Sequence, residues 1–337
     1  LKKTTSIVLL LGLTILSGSC QKKDALRGID KNALFAIPTV EELEVIKTTI
    51  QQRDLTPHDV SVEETHVINS KLSLKLISFR LHGHKQYAGV LLPVSAKPLP
   101  VQLFVYGFGL TEPRSYQSVR TSDTVSLPFI YVVPALRGQL LTLLVNDKTY
   151  NTPTSEGTRN DAFDGATDDA IACLNAVATL FKEADTSRVM VRGGSRGGTV
   201  ALLMAERDKR VKLAAGVAFP TELLKLTSTH QNDPTYRFQF LDALINGTAT
   251  LEETRVKLIA SSPLYFCRQL PKTQIHFGEK DNITAAAQGE LLLNAMKTAG
   301  LQDSMELFIY KDRGHSDIGT GNNEMEERIH NFFSQLY

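Results

Sequence analysis

The chain has 337 residues, 42% hydrophobic and 22% charged, with 37 Lys and Arg against 36 Asp and Glu for a net charge of +1. The near-balance of charge, without a basic stripe or interleaved aromatic and basic residues, argues against nucleic acid as a partner. The apolar content excludes a mainly disordered chain and allows a substantial core, and one α/β domain of roughly 250 residues or more is compatible with the length.

The first elements lie outside the fold. Lys2 and Lys3, the apolar run 7–16 and the small residues Ser17, Gly18 and Ser19 before Cys20 read as a secretory signal peptide. Its apolar stretch is too short to span a bilayer. The cysteine after small residues resembles a bacterial lipobox, in which it is acylated and becomes the first mature residue. Leu16 stands four residues before Cys20, where a lipobox favours three, so an ordinary signal peptide is the alternative. The expected organisation is a leader over 1–19, a polar tether over 20–33 and one folded domain over 34–337. Such a protein would be exported to the cell envelope and held to a membrane through its lipid alone.

Within the domain, Thr39 and the glutamates after it form a capping pattern ahead of Leu43, Val45, Ile46 and Ile50, predicting a short helix over 40–53. Strands are predicted over 62–68, 72–81 and 85–92, where alternation at Leu72, Leu74 and Leu76 suggests a meander. The unbroken apolar runs 101–106 and 129–134 suit central strands covered on both faces. A helix over 162–182 presents Ala170, Ile171, Leu174, Val177, Leu180 and Phe181 on one side. Then follow a strand into Gly193, a helix from Thr199 and a strand over 211–219. A helical insert at about 221–260, a strand over 273–277, a helix over 286–299, a strand over 305–310 and a helix over 324–336 close the chain. This alternation predicts a mostly parallel central sheet with helices on both faces and a small helical cap insert. Cys173 and Cys267 sit in apolar contexts without metal or redox spacing, so buried free thiols are expected. His82 and His84 flank a turn glycine and lack a third ligand, so neither metal nor another cofactor is expected.

The most informative stretch is Gly193-Gly194-Ser195-Arg196-Gly197, a G-x-S-x-G pattern between a strand and a helix. A serine at the tip of such a turn stands clear of the sheet, and the flanking glycines let the strand and helix backbones pass closely. The helix start beneath it brings N–H groups and a positive dipole end to where an oxyanion would develop. A serine hydroxyl needs a base, and the base needs an orienting carboxylate. Asp281 lies in the loop after the strand that ends at Gly278, with Glu279 as the rival acid. His315 follows Gly314 after the strand that ends near Tyr310. Both would emerge at the same sheet edge as Ser195.

Further signatures are Tyr106-Gly107, Leu136-Arg137-Gly138-Gln139, Asp185 to Arg188 and Ser262-Pro263. With the elbow and the two loops they resemble the α/β-hydrolase superfamily and, within it, the catalytic domain of the prolyl oligopeptidase family, over roughly 85–335. The resemblance implies an α/β-hydrolase fold, Ser195 as nucleophile, His315 as general base, Asp281 as its orienter and the Arg196 backbone N–H as an oxyanion donor. It implies the Tyr106 hydroxyl as the second donor, with plain core packing as the alternative role. No β-propeller like that of the large family members is expected, and similar glycine patterns occur in acetyl-sugar esterases of the superfamily. The leading reading is an exported serine hydrolase acting on small or carbohydrate esters. A serine peptidase is the alternative, and a non-catalytic ligand-binding lipoprotein is the alternative of another class. Small-molecule, carbohydrate-ester or peptide substrates are the expected partners.

Overall fold

A computed structural model of the chain describes residues 24–107, 114–121 and 127–337. The leader and Cys20 lie outside the described residues. After a one-turn helix, α1 (Lys31–Phe35), helix α2 (Val40–Gln51) starts where the capping pattern put it, with the Thr39 side chain accepting from the Glu42 amide at 3.2 Å. Strands β1 (His58–Asn69), β2 (Leu72–Leu81) and β3 (His84–Pro93) form the antiparallel meander. Strands β4 (Leu99–Val105), β5 (Arg114–Val119), β6 (Ile130–Ala135), β7 (Leu140–Val145) and β8 (Lys148–Asn151) follow before helix α3 (Asp164–Leu180). The elbow joins β9 (Ala184–Gly194) to α4 (Arg196–Arg207), and β10 (Val211–Val217) leads into three helices, α5 (Leu223–Thr229), α6 (Pro234–Ile245) and α7 (Leu251–Ala260). Strand β11 (Lys272–Gly278), helix α8 (Ala287–Thr298), strand β12 (Met305–Tyr310) and helix α9 (Asn323–Phe333) complete the order.

The large sheet runs β1-β2-β3-β6-β4-β9-β10-β11-β12, antiparallel from β1 to β6 and parallel from β6 to β12. Helices cover both faces, as the apolar runs require. Leu174, Val177, Met204, Leu292 and Met296 of α3, α4 and α8 pack on one face. Met325, Ile329, Phe332 and Phe333 of α9 pack on the other, against Met190, Leu213 and Val217. Parallel strands point their C-terminal ends the same way, so the loops after β9, β11 and β12 meet at one edge. Cys173 and Cys267 are both buried free thiols.

Two features differ from the sequence reading. The segment expected as a tether over 20–33 is docked from Asp24 onward. Leu26 and Leu34 are fully buried among Leu223, Phe240, Leu241 and Leu258 of the helical insert. Arg255 of α7 fixes it further, donating to the carbonyls of Ala33, Leu34 and Ala36 and pairing with both oxygens of Glu42. Leu26, with Ile29 partly buried beside it, anchors an otherwise polar stretch, because the insert would otherwise leave an apolar face in water. The second feature is a small sheet, β5-β7-β8, that was not foreseen. Leu141 and Leu143 of β7 lie over the meander with Leu72, Leu74 and Leu91, closing a face that β1 to β3 alone would expose. Its signal was present: Asn146 and Asp147, at φ +47° and +66°, make the two-residue turn that joins β7 to β8.

Candidate active site

Ser195 holds φ +52° and ψ −130°, a left-handed conformation that a side-chain-bearing residue rarely adopts. Its amide donates to the Val217 carbonyl at 2.8 Å, anchoring the turn to β10. The glycines on either side are sterically required. A Cβ on Gly193 would lie 2.0 Å from the Gly197 carbonyl oxygen, and one on Gly197 would lie 2.1 Å from that of Val105. The G-x-S-x-G spacing is therefore the imprint of β9, α4 and the end of β4 crossing at backbone contact.

The structure brings the three polar residues predicted from the loops together. His315 Nε2 is 3.0 Å from Ser195 Oγ, and His315 Nδ1 is 2.8 Å from Asp281 Oδ2. Asp281 is buried, and its Oδ1 accepts from the amides of Ile283 and Thr284, both at 2.8 Å. Burial alone would raise its pKa. The hydrogen bonds from His315 and from the Thr284 and Ile283 amides outweigh burial and hold the carboxyl below the ordinary value, so it is ionised at neutral pH. Glu279, the rival acid, is exposed and accepts from the Asp312 amide at 3.1 Å instead. An ionised carboxylate on Nδ1 and a hydroxyl on Nε2 is the arrangement by which an imidazole can take a hydroxyl proton.

The Arg196 amide is the first of α4, where N–H groups point out of the helix rather than into it. Its side chain has a role that the sequence did not suggest. The buried guanidinium donates from Nη2 to the carbonyls of Tyr106 and Gly107 and to Gln139 Oε1, each at 3.2 Å. Burial pushes its pKa down to about 9, which leaves it charged at neutral pH. Arg196 thereby fastens the loop after β4 to the helix that follows the nucleophile. Tyr106, at the start of that loop, lines one cavity with Ser195 and His315, its ring edge-on to Tyr116 at 6.4 Å between centroids. Residues 108–113 of that loop lie outside the described residues.

Two cavities meet at Ser195. One, of about 510 Å³, is lined by Tyr106, Gly107, Arg192, His315, Ile318 and Met325. The other, of about 470 Å³, faces the helical insert and is walled by Phe163, Leu223, His230, Tyr236, Phe240 and Ile283. His230 stacks on Tyr236 with 4.4 Å between ring centroids, and both rings line this cavity. Thr284, which the sequence reading passed over, lies under the His315–Asp281 pair. His82, by contrast, is engaged with the Asp54 carbonyl at 2.8 Å. Among the described residues, no group of three or more His, Cys, Asp or Glu is arranged to hold a metal, and no helix is long and apolar enough to cross a membrane.

A family model described as the prolyl oligopeptidase family matches residues 156–336, just over half of the chain. No curated protein sequence matches it. Among solved structures, acetyl xylan esterase 1 from Thermoanaerobacterium sp. JW/SL YS485 is similar at 15% identity, with a TM-score of 0.61 over 91% of this chain and 97% of that one. An acetyl xylan esterase from Paenibacillus sp. R4 is similar at 16% identity and a TM-score of 0.62, covering 91% and 99%. The acylaminoacyl peptidase of Pyrococcus horikoshii, at 16% identity and a TM-score of 0.55, covers 79% of this chain and 42% of its own. These likenesses establish the α/β-hydrolase fold.

Proposed function

The chain belongs to the prolyl oligopeptidase family and is a serine hydrolase, and from that premise we propose that it cleaves an ester or amide bond through an acyl-enzyme on Ser195. The observation that carries this reading is the continuous chain Ser195 Oγ–His315 Nε2, His315 Nδ1–Asp281 Oδ2, at 3.0 and 2.8 Å, opening onto two cavities. In the proposed reaction Ser195 Oγ attacks the substrate carbonyl carbon while its proton passes to His315 Nε2. Asp281 stays ionised and stabilises the imidazolium. The carbonyl oxygen becomes an oxyanion, which the Arg196 N–H and the Tyr106 hydroxyl stabilise. As the tetrahedral species collapses, the bond to the leaving group breaks and His315 returns its proton to that group. Water then repeats the sequence on the acyl-serine and regenerates the hydroxyl.

The preferred substrate is a small ester, including an acyl group on a carbohydrate. The acetyl xylan esterases align with this chain over nearly their whole length, whereas the acylaminoacyl peptidase aligns over less than half of its own, which supports an ester reading. Peptidase activity is the second reading, supported by the family match itself. A fluorophosphonate probe should label the wild-type chain. Hydrolysis of p-nitrophenyl acetate and acetylated xylo-oligosaccharides should exceed that of amino-acid arylamides, and the reverse order would favour the peptidase. The composition of the leader supports an exported protein acylated at Cys20. Cys20→Ser should release it to the soluble envelope fraction, and a mature protein with an unmodified amine at another residue would refute the anchor.

A further inference from the structure

Thr284 carries a buried hydroxyl with three polar neighbours. Its Oγ1 lies 2.8 Å from the Ala218 carbonyl oxygen, 3.0 Å from Asp281 Oδ2 and 2.9 Å from His315 Nδ1. A hydroxyl has one proton to give and two lone pairs to offer. The Ala218 carbonyl and the ionised Asp281 carboxylate can both only accept, and Ala218 is the nearer, at 2.8 Å against 3.0 Å. Its direction is fixed, because Ala218 is held at φ +49° and its own amide donates to the His276 carbonyl at 2.8 Å. With the hydroxyl proton directed to Ala218, the Oγ1 lone pairs face His315 Nδ1. Asp281 Oδ1 is already occupied by two amides, so only Oδ2 and the Thr284 oxygen remain beside Nδ1.

From this geometry we propose that Thr284 is a positioning residue for the hydrolysis: committed to the Ala218 carbonyl as donor, it accepts from the Nδ1–H of His315 alongside Asp281. It thereby holds the imidazole in the tautomer whose bare Nε2 can take the Ser195 proton. The opposite assignment, a hydroxyl donating to Nδ1, would leave the proton on Nε2 and block that transfer. The Ala218 carbonyl in the turn after β10, together with the Asp281 carboxylate, thus keeps the hydroxyl from favouring the unproductive tautomer. No bond is made or broken at Thr284, and although the residue borders the cavity that faces the insert, its hydroxyl is taken up by Ala218, Asp281 and His315, so loss of the hydroxyl falls on the proton transfer and not on binding. The proposal rests on the reading of Ser195, His315 and Asp281 as the reacting set.

Thr284→Val keeps the shape and removes only the hydroxyl, and Thr284→Ser keeps the hydroxyl and removes the methyl. The full chain is assayed for ester hydrolysis beside Ser195→Ala, and the downfield proton resonance of the His315 Nδ1–H is followed by NMR. Val should lower kcat by about 10- to 100-fold with KM nearly unchanged, and should move the resonance. Ser should recover most of the rate. Wild-type kcat and an unmoved resonance in Val would overturn the proposal, as would equal losses in Val and Ser, which would mean that packing of the methyl is what matters. Should Val fail to fold, Thr284→Ala against Thr284→Ser makes the same comparison. If the wild type shows no Ser195-dependent hydrolysis, the reading of the reacting set fails, while the resonance still reports whether Thr284 shares the Nδ1 proton.

Discussion

Helix α4 begins at one buried polar cluster and ends at another. At its C-terminal end, Arg207 and Arg53 share the carboxylates of Asp164 and Asp168, with contacts of 2.8 to 3.5 Å. Nearby, Arg137 clasps Asp169 through both oxygens and reaches Asp161 at 2.7 Å. Each of these charges faces an opposite one. At the N-terminal end, Asp281 has hydrogen-bond donors, and among the described residues its only ion-pair partner is His315. Its countercharge appears only when the imidazole takes a proton. The saturated cluster holds α3 and α4 in place, while the unsaturated one reserves its electrostatic gain for a charge that forms during reaction. Loss of a partner should therefore reduce stability at one end of α4 and rate at the other.

The largest expected effect is at the reacting end. Ser195→Ala should lower kcat by roughly 10⁴–10⁶-fold and abolish fluorophosphonate labelling, with the thermal midpoint nearly unchanged. A variant still labelled as well as wild type would end the assignment. Asp281→Asn should cost about 10⁴-fold in kcat by favouring the wrong imidazole tautomer, with the fold intact by circular dichroism. Glu279→Gln should be close to silent, and the comparison breaks if the two exchange roles. At the other end, Arg207→Met should cost about 3 kcal/mol in denaturant unfolding, because Asp164 and Asp168 are left with Arg53 alone. Its kcat should match wild type wherever the protein is folded; a large loss of kcat in folded Arg207→Met would show that the clusters are not separable.

Tyr106→Phe should lower kcat by about 10- to 10³-fold with little change in KM, because an oxyanion donor acts only once charge has formed. A kinetically silent Phe would move that role to a backbone N–H of the same loop. The smallest effect belongs to Glu206, also on α4, whose buried carboxyl oxygens have no hydrogen-bond partner among the described residues. Burial raises its pKa well above the ordinary glutamate value. A raised folded-state pKa contributes stability below the unfolded value, and that contribution is lost as pH rises. Glu206→Gln should thus raise the melting temperature at pH 8 by about 2 °C and flatten its decline with pH. A Gln variant that melts lower at pH 8 would place a needed charge there.

The sequence was most legible where one local rule determines the structure. The elbow glycines, the capping residues before α2 and the apolar periodicity of α3 each act within a few residues, and the element order and the mostly parallel sheet follow from them. The misses are non-local. Strand β5 has a polar, weakly patterned sequence and pairs in parallel with β7, so no hairpin advertises it. Leu26 became a core residue only because helices more than 190 residues away supplied the opposite wall. The side-chain role of Arg196 and the hydroxyl of Thr284 depend on carbonyls from other loops, those of Tyr106, Gly107 and Ala218, whose directions no residue pattern encodes.

Three side-chain-bearing residues at positive φ, Ser195 (+52°), Ala218 (+49°) and Asp312 (+60°), directly follow or lie just beyond β9, β10 and β12. They share one sheet edge, and each such conformation costs on the order of 1–3 kcal/mol. The rigid body of the sheet therefore carries a standing load at the edge where chemistry is proposed. Thermostability and turnover are set against each other at these positions: glycine at 195 or 218 would relax the backbone, and it would also remove the nucleophile or free the carbonyl that directs Thr284. A search for heat-resistant variants that selects on folding alone would drift toward those glycines and return a sturdier protein with an idle edge.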